Sequence, residues 1–489
     1  MSVVMGVDSS TQACRVELRD ADTGAYLGSG SSLHPVTTPP VSEQNPADWW
    51  LAMTLAMNWA VAASGVDKKD IKAISVAAQP QGLVLLDPMG RVLRPVKLWD
   101  DLTSTREANV MANDGGITFW VNTVGSVPTA AFTVSKLAWM ARHEPETLSK
   151  AARACLPHDW LTWRLTGDFV TDRSDASGTG YYAAWKSAYL PEVLQRFGRV
   201  SNLELPTVLG PDTRAGRISS RAAAELGLGT DVVVGPGAGD QQAAALGMGL
   251  TPGDVAFSID TSAVVMTVSE TPVHDAAGII DGVCDATGRY LPLVCSLNGL
   301  KVTDWFRSLL GLDTARFEAL ALAVPPRERT LTLAAFFDGE RRPNLPYATG
   351  VLAGLRTDTT PAQIARASFD GVVMGLLAGV EAMQHCGIDV GRRAIVVGSG
   401  ASSAAYRQSL ADLLKRPVVT LGTPDATVRG ACLQAACVLA GAKIDHLRDT
   451  WRPPKGQTTE PGAPVADETM EAYRKLAAFR GTDRVRTLS

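Results

Sequence analysis

Along the chain, short apolar runs bounded by turn residues alternate with stretches in which apolar positions recur every three or four residues. The first pattern predicts strands over 3–7, 13–18, 25–28, 71–77 and 83–86, then over 232–234, 254–257, 264–268, 394–398 and 418–421. The second predicts helices over 45–63, 156–167, 361–385, 406–414 and 428–440. Strands and helices mix along the whole length, so the fold class is α/β. A Pro/Gly/Thr-rich stretch over 453–466 predicts a surface excursion before a last helix over 467–478.

One arrangement occurs twice. The strand at 3–7 runs into Asp8-Ser9-Ser10-Thr11-Gln12 before the next strand begins. The strand at 254–257 runs into Ser258-Ile259-Asp260-Thr261-Ser262-Ala263 in the same way. Each is strand, hydroxyl-rich turn with one acid, strand. The repeat predicts two domains of similar plan that face each other and grip a phosphate between them. A chain of 489 residues also exceeds what one hydrophobic core usually serves, and the expected domains are 1–246 and 247–489.

Composition narrows the function class. Hydrophobic residues at 46% and charged residues at 20% describe an ordinary globular protein. The net charge of -4, from 46 basic and 50 acidic residues, argues against nucleic acid or an anionic membrane surface as a partner. The seven cysteines and six histidines show no metal-ligand spacing, and a reduced cytoplasm is the simplest setting. No signal peptide or spanning segment is evident in the sequence.

The candidate chemistry lies on turns. Val232 to Val234 reads as a buried strand, Gly235-Pro236-Gly237-Ala238-Gly239 breaks it, and small residues resume as a helix after Asp240. Glycines there let a ligand approach the backbone, and a helix start favours a carboxylate. Asp240 is therefore either a base or an N-cap. The hydroxyls of Ser9, Ser10 and Thr11 can donate to phosphate oxygens while Asp8 holds a metal ion, or the segment is a plain hairpin tip. Gln79 and Gln81 offer uncharged donors and acceptors. Trp99 beside Asp100 and Asp101 could cover and hydrogen-bond a sugar, or belong to the core and a helix cap. The Gly398-to-Ser403 loop precedes a helix and suits a nucleotide's phosphates or sugar. No phosphate loop of the Gly-x-x-x-x-Gly-Lys-Ser/Thr kind and no full dinucleotide fingerprint is present in the sequence.

Taken in order, these motifs resemble the FGGY carbohydrate kinases, and within them most closely the xylulokinases. The resemblance runs from Met5-Gly6-Val7-Asp8-Ser9-Ser10-Thr11-Gln12 to the Ala-rich helix after Asp425. It rests on Leu98-Trp99-Asp100-Asp101, Leu165-Thr166-Gly167, Thr171-Asp172-Arg173-Ser174-Asp175-Ala176-Ser177-Gly178, Gly237-Ala238-Gly239-Asp240, Asp338-Gly339-Glu340-Arg341-Arg342-Pro343 and Gly398-Ser399-Gly400-Ala401-Ser402. It implies two actin/hexokinase-like, ribonuclease H-like domains facing a central cleft. The implied reaction is ATP-dependent phosphorylation of a ketopentose, D-xylulose first. A kinase of another ketose or sugar alcohol such as ribulose, or a weakened sugar-binding paralogue, is the second reading. ATP and Mg²⁺ are the implied cofactors, the cytoplasm the implied location, and a homodimer one assembly open to it.

The resemblance also assigns roles. Asp240 becomes the general base and Asp8 the Mg²⁺ ligand. Ser10 and Thr11 lie near the transferred phosphate; Gln81, Trp99, Asp101, Asp240 and Gln241 line the sugar; Thr261, Ser262, Gly400, Ala401 and Ser402 face the nucleotide. The chain departs from the family at Pro80-Gln81-Gly82, at Gln241 and at Asp260, which stands where the family has glycine. A carboxylate near a phosphate is repulsive unless offset. On charge alone, Asp260→Gly is expected to strengthen ATP binding.

Overall fold

The computed structural model describes every residue except 424, 463, 467 and 480–489. The described chain divides into two compact units, the first comprising Met1–Gly249, Gly282–Leu291 and 425–453, the second the remainder. The first long segment ends close to the boundary read from the sequence, but two later segments return to the first unit. The reason lies in packing. The small-residue helix Ala426–Ala440 covers β1 (Val3–Ser9) and crosses the helix Asp240–Gly247 with glycine against glycine. A Cβ on Gly430 would stand 1.9 Å from the Ala243 carbonyl oxygen, and one on Gly247 would stand 1.8 Å from that of Ala426.

In the first unit β1 runs antiparallel to β2 (Ala13–Asp20), which pairs with β3 (Tyr26–Leu33). On its other side β1 runs parallel to β4 (Ile71–Ala78). The sheet continues through β5 (Gly216–Arg217) and β6 (Val233–Val234), in the order β5-β6-β4-β1-β2-β3, while β7 (Ala238–Gly239) pairs further along β4. Every residue of β1 is buried, as a continuous apolar run in a central strand requires. The helix Pro46–Ser64 starts with Asn45, whose side chain accepts from Ala47 N, and ends on Gly65 in the left-handed region.

The second unit repeats the plan. Its sheet is built on β8 (Val255–Ile259), β9 (Ala263–Thr267), β12 (Ala394–Val397), β13 (Val418–Leu421) and β14 (Lys455–Thr459). The ladder runs on through β11 (Tyr290–Ser296) to β10 (Asp281–Cys284), where residues 282–291 belong to the first unit. The order is β10-β11-β9-β8-β12-β13-β14, with β8 antiparallel to β9 and parallel to β12, as β1 is to β2 and β4. Each unit is thus a mixed sheet centred on a strand that ends in a hydroxyl-rich turn. The fold class read from the sequence is the one observed.

Near the C-terminus the sequence reading and the structure differ at one point. The stretch expected to be a surface excursion carries β14, an exposed strand that pairs with β13. Its ladder comes from an available sheet edge, which no apolar period could reveal. The last helix is seen over Glu468–Ala477, and Asp467, where it was expected to begin, lies outside the described residues. Among the described residues no helix is long and apolar enough to cross a membrane.

Candidate active site

The first unit gathers its acids where β1, β4 and β7 end. Asp8, the penultimate residue of β1, is buried and accepts a hydrogen bond from Ser10 Oγ at 2.5 Å. Arg15 on β2 approaches both Asp8 (3.8 Å) and Asp425 (3.3 Å). Asp425 caps the helix Ala426–Ala440, with one oxygen accepting from Thr427 N and Val428 N. Burial, then the charges of Asp425 and Asp240, raise the Asp8 pKa to about 8, against the lowering effects of Ser10 and Arg15.

Asp240 is the first residue of its helix, and Gly239 occupies the cap position, so the N-cap reading does not describe it. The carboxylate is partly exposed, and its Oδ1 accepts from Gln241 N at 2.6 Å. Burial raises its pKa to about 7; the Gln241 N–H opposes that rise and the charge of Asp175 adds to it. Gln241 is likewise partly exposed beside it.

Behind this turn lies a buried cluster that sequence reasoning passed over. His158 has no exposure; its Nδ1 is 2.9 Å from Asp175, and its Nε2 is 3.1 Å from Asp159 and 3.7 Å from Asp172. Burial alone lowers the imidazole pKa, but the three carboxylates outweigh it and raise the value to about 10. Asp159 is itself pushed up to about 7, mainly by burial. The signal in the sequence was an acid-rich Thr171–Gly178 run with a histidine upstream, yet nothing local showed that they meet.

The expected sugar residues fall into two groups. Gln81 is partly exposed with φ +65, and its carbonyl accepts from the buried Lys136 Nζ (2.7 Å) and Thr133 Oγ1 (3.2 Å). Trp99 is half-buried and donates from Nε1 to Thr11 Oγ1 at 2.8 Å, so the indole joins the turn that carries Ser10. Of the two readings open for Trp99-Asp100-Asp101, an exposed acid beside the indole does not describe Asp101. It is fully buried, accepting from Ser42 N (2.9 Å), Thr103 N (3.1 Å) and Thr103 Oγ1, with Lys97 Nζ at 3.4 Å. The neighbouring Asp100 instead leaves a buried carboxylate oxygen without a hydrogen-bond partner.

In the second unit, Thr261 and Ser262 form the tip of the β8–β9 hairpin, and Gly400, Ala401 and Ser402 lie on a 3₁₀ turn after β12. The two are adjacent: a Cβ on Gly400 would meet Ile259 of β8 at 2.7 Å. Asp260 binds the second loop directly, accepting from Ser399 N and Ser399 Oγ, each at 2.8 Å. Its carboxylate is therefore engaged by the protein.

Comparison with known proteins now bears on this geometry. Residues 3–247 match the FGGY family of carbohydrate kinases, N-terminal domain, and residues 255–439 match its C-terminal domain. The chain belongs to the FGGY carbohydrate kinases. The xylulose kinase of Streptomyces coelicolor is 38% identical over 455 residues, spanning 93% of this chain and 92% of that protein. The solved xylulose kinase of Bifidobacterium adolescentis is 34% identical with a TM-score of 0.85, covering 97% of this chain and 99% of its own. A gluconate kinase from Lactobacillus acidophilus, at 22% identity, has a TM-score of 0.88 over 100% of this chain and 98% of its own. That last likeness speaks to the fold alone, so an FGGY scaffold is shared by proteins named for different sugars. This FGGY kinase is accordingly a sugar-phosphorylating enzyme with ATP as the family's phosphate donor.

Proposed function

We propose that this kinase transfers the γ-phosphoryl group of ATP to D-xylulose, with Asp240 as general base. The observation that carries the reading is the Asp240 carboxylate: partly open, first in its helix, and with its pKa raised to about 7. A base works best when its pKa lies near the working pH. The choice of D-xylulose is supported by the extent of likeness to the S. coelicolor xylulose kinase.

The division of labour follows from the contacts. Asp240 takes the proton of the attacking sugar hydroxyl, and its second oxygen is not held by the Gln241 amide. Gln81 presents its side chain from a backbone pinned by Lys136, and Trp99 offers an indole face whose N–H is already satisfied by Thr11. Since Thr11 Oγ1 accepts that bond, its own hydrogen is free to donate to a phosphate oxygen.

Mg²⁺ fits Asp8. Among the described residues no three His, Cys, Asp or Glu side chains form a metal cage, but Mg²⁺ usually takes one or two carboxylates and completes its shell with phosphate oxygens and water. Asp8 is a buried acid crowded by Asp425 and Asp240, a charge that a divalent cation offsets. When bound, the ion supplies neutralisation of phosphate charge.

A coupled assay of ADP release over a panel of ketoses and alditols tests the reading. D-Xylulose is expected to give the highest kcat/KM, and a tenfold better substrate would overturn the assignment. Asp240→Asn is expected to lower kcat by about 10² to 10⁴-fold. The wild-type kcat/KM should rise with pH through about 7 as Asp240 ionises, a limb that the variant lacks. Retention of that limb would move the base elsewhere.

A further inference from the structure

We propose that Asp260 is a positioning residue that splints the Gly398–Ser402 loop into the shape in which it takes a nucleotide. The inference rests on the nucleotide role given to that loop above.

Two segments 139 positions apart are joined here through one carboxylate. Asp260 Oδ1 accepts from both the backbone N–H and the hydroxyl of Ser399, at 2.8 Å each. Its other oxygen occupies the space left by Gly398, where a Cβ would stand 2.4 Å from Asp260 Oδ2 and 2.7 Å from the Ile259 carbonyl. Gly398 has φ +79, a conformation that L side chains rarely adopt, so glycine at 398 and aspartate at 260 are complementary in shape.

The carboxylate reaches the loop from a rigid base. Asp260 N donates to Ser262 O (2.9 Å), Leu300 N donates to Asp260 O (2.7 Å), and Gly299 N donates to Thr261 O (3.1 Å). The far end of the loop is held too, since the largely buried Arg407 donates from Nη1 to Ala401 O at 2.5 Å. Gly400 thus lies between two anchored residues, Ser399 held by Asp260 and Ala401 held by Arg407, and Ser402 is tied back by its hydroxyl to the Ser399 carbonyl at 2.7 Å. A loop ordered before the ligand arrives loses less entropy when it binds. The charge of Asp260 is directed at two donors within the protein, which reduces its repulsion of an incoming phosphate. The sign expected from charge alone is therefore reversed: removing the side chain weakens nucleotide binding.

The test titrates ADP with Mg²⁺ into the full-length wild type, Asp260→Ala and Asp260→Asn by calorimetry, and follows amide hydrogen exchange at Ser399 in each. Asp260→Ala is expected to weaken ADP binding about tenfold and to deprotect the Ser399 amide. Asp260→Asn, whose carbonyl can accept the same two bonds, should keep both affinity and protection. Equal or tighter ADP binding by Asp260→Ala overturns the proposal. So does an Asp260→Asn variant that loses affinity as Ala does while Ser399 stays protected, because charge and not the tether would then be what matters. A wild type that binds no ADP would instead refute the nucleotide role of the loop, and the exchange data would still decide whether Asp260 holds Ser399.

Discussion

Asp101 closes a small buried network in which Ser42 N and the amide and hydroxyl of Thr103 donate to its two oxygens. Lys97, with only 1% of its side chain exposed, lies between this carboxylate and Glu43 at 3.4 and 3.1 Å. Removing one partner of such a group leaves a buried charge and several donors unpaired. Asp101→Ala is therefore expected to cost about 3 to 5 kcal/mol of stability, read by urea unfolding. A loss below about 1 kcal/mol, the range of exposed pairs, would show the network to be dispensable. The adjacent Asp100, not Asp101, carries the unengaged oxygen. The sequence showed the Trp-Asp-Asp string but not which acid faces inward, because alternation along a two-residue turn has no period to read.

The turn from β6 through β7 into the helix Asp240–Gly247 aims the proposed base. Its geometry depends on Gly237, at φ +86, where a Cβ would stand 2.3 Å from His158 Cδ2 and 2.8 Å from the Val76 carbonyl. Neither neighbour can yield: the imidazole is held by Asp159 and Asp175, and Val76 belongs to β4. Gly237→Ala should cost at least about 1 to 2 kcal/mol from the left-handed backbone alone. It should also lower kcat by about a hundredfold through displacement of Asp240. Calorimetric melting and steady-state kinetics read the two effects, and an alanine variant with wild-type kcat would show that the turn does not position the base. Strand, glycine turn and helix were all legible from local composition. The histidine cluster behind them was not, since His158 reaches Gly237 only through packing.

Across the molecule, the perturbed groups predict how stability varies with pH. Asp8, Asp159 and Asp240 have folded pKa values of about 8, 7 and 7, above the ordinary carboxylate value, so the native state holds protons that the unfolded chain has released. His158, raised to about 10, likewise keeps its proton after the unfolded imidazole has lost it near 6.5. In both cases the native state binds more protons, and stability falls as pH rises. The carboxylates act between about 4 and 8 and the imidazole between about 6.5 and 10. The ligand-free kinase is therefore expected to unfold at lower urea concentration at pH 8.5 than at pH 6. Greater resistance at pH 8.5 would mean that these groups do not hold their protons in the native state.

The sequence by itself determined the α/β class, the central strands of both sheets, the helices Pro46–Ser64, Pro361–His385 and Ala426–Ala440, the duplicated strand-turn-strand unit and the ordered motifs of an FGGY kinase. These follow from side-chain period and turn chemistry, which are properties of neighbours in the chain. It did not show the extent of the helix Thr105–Val124, the helix Leu300–Leu309 or the strands Asp281–Cys284 and Tyr290–Ser296. Tertiary structure alone decided that Asp101 turns inward, that His158 gathers three carboxylates behind Asp240, that residues 282–291 and 425–453 join the first unit, and that β14 adds to a sheet edge. It also decided the meaning of Asp260, a repulsive charge in the sequence and a bonded anchor in the fold. Burial and hydrogen-bond partners set what a polar side chain does, and those come from other elements of the fold, 59 positions away for Asp101 and 139 for Asp260.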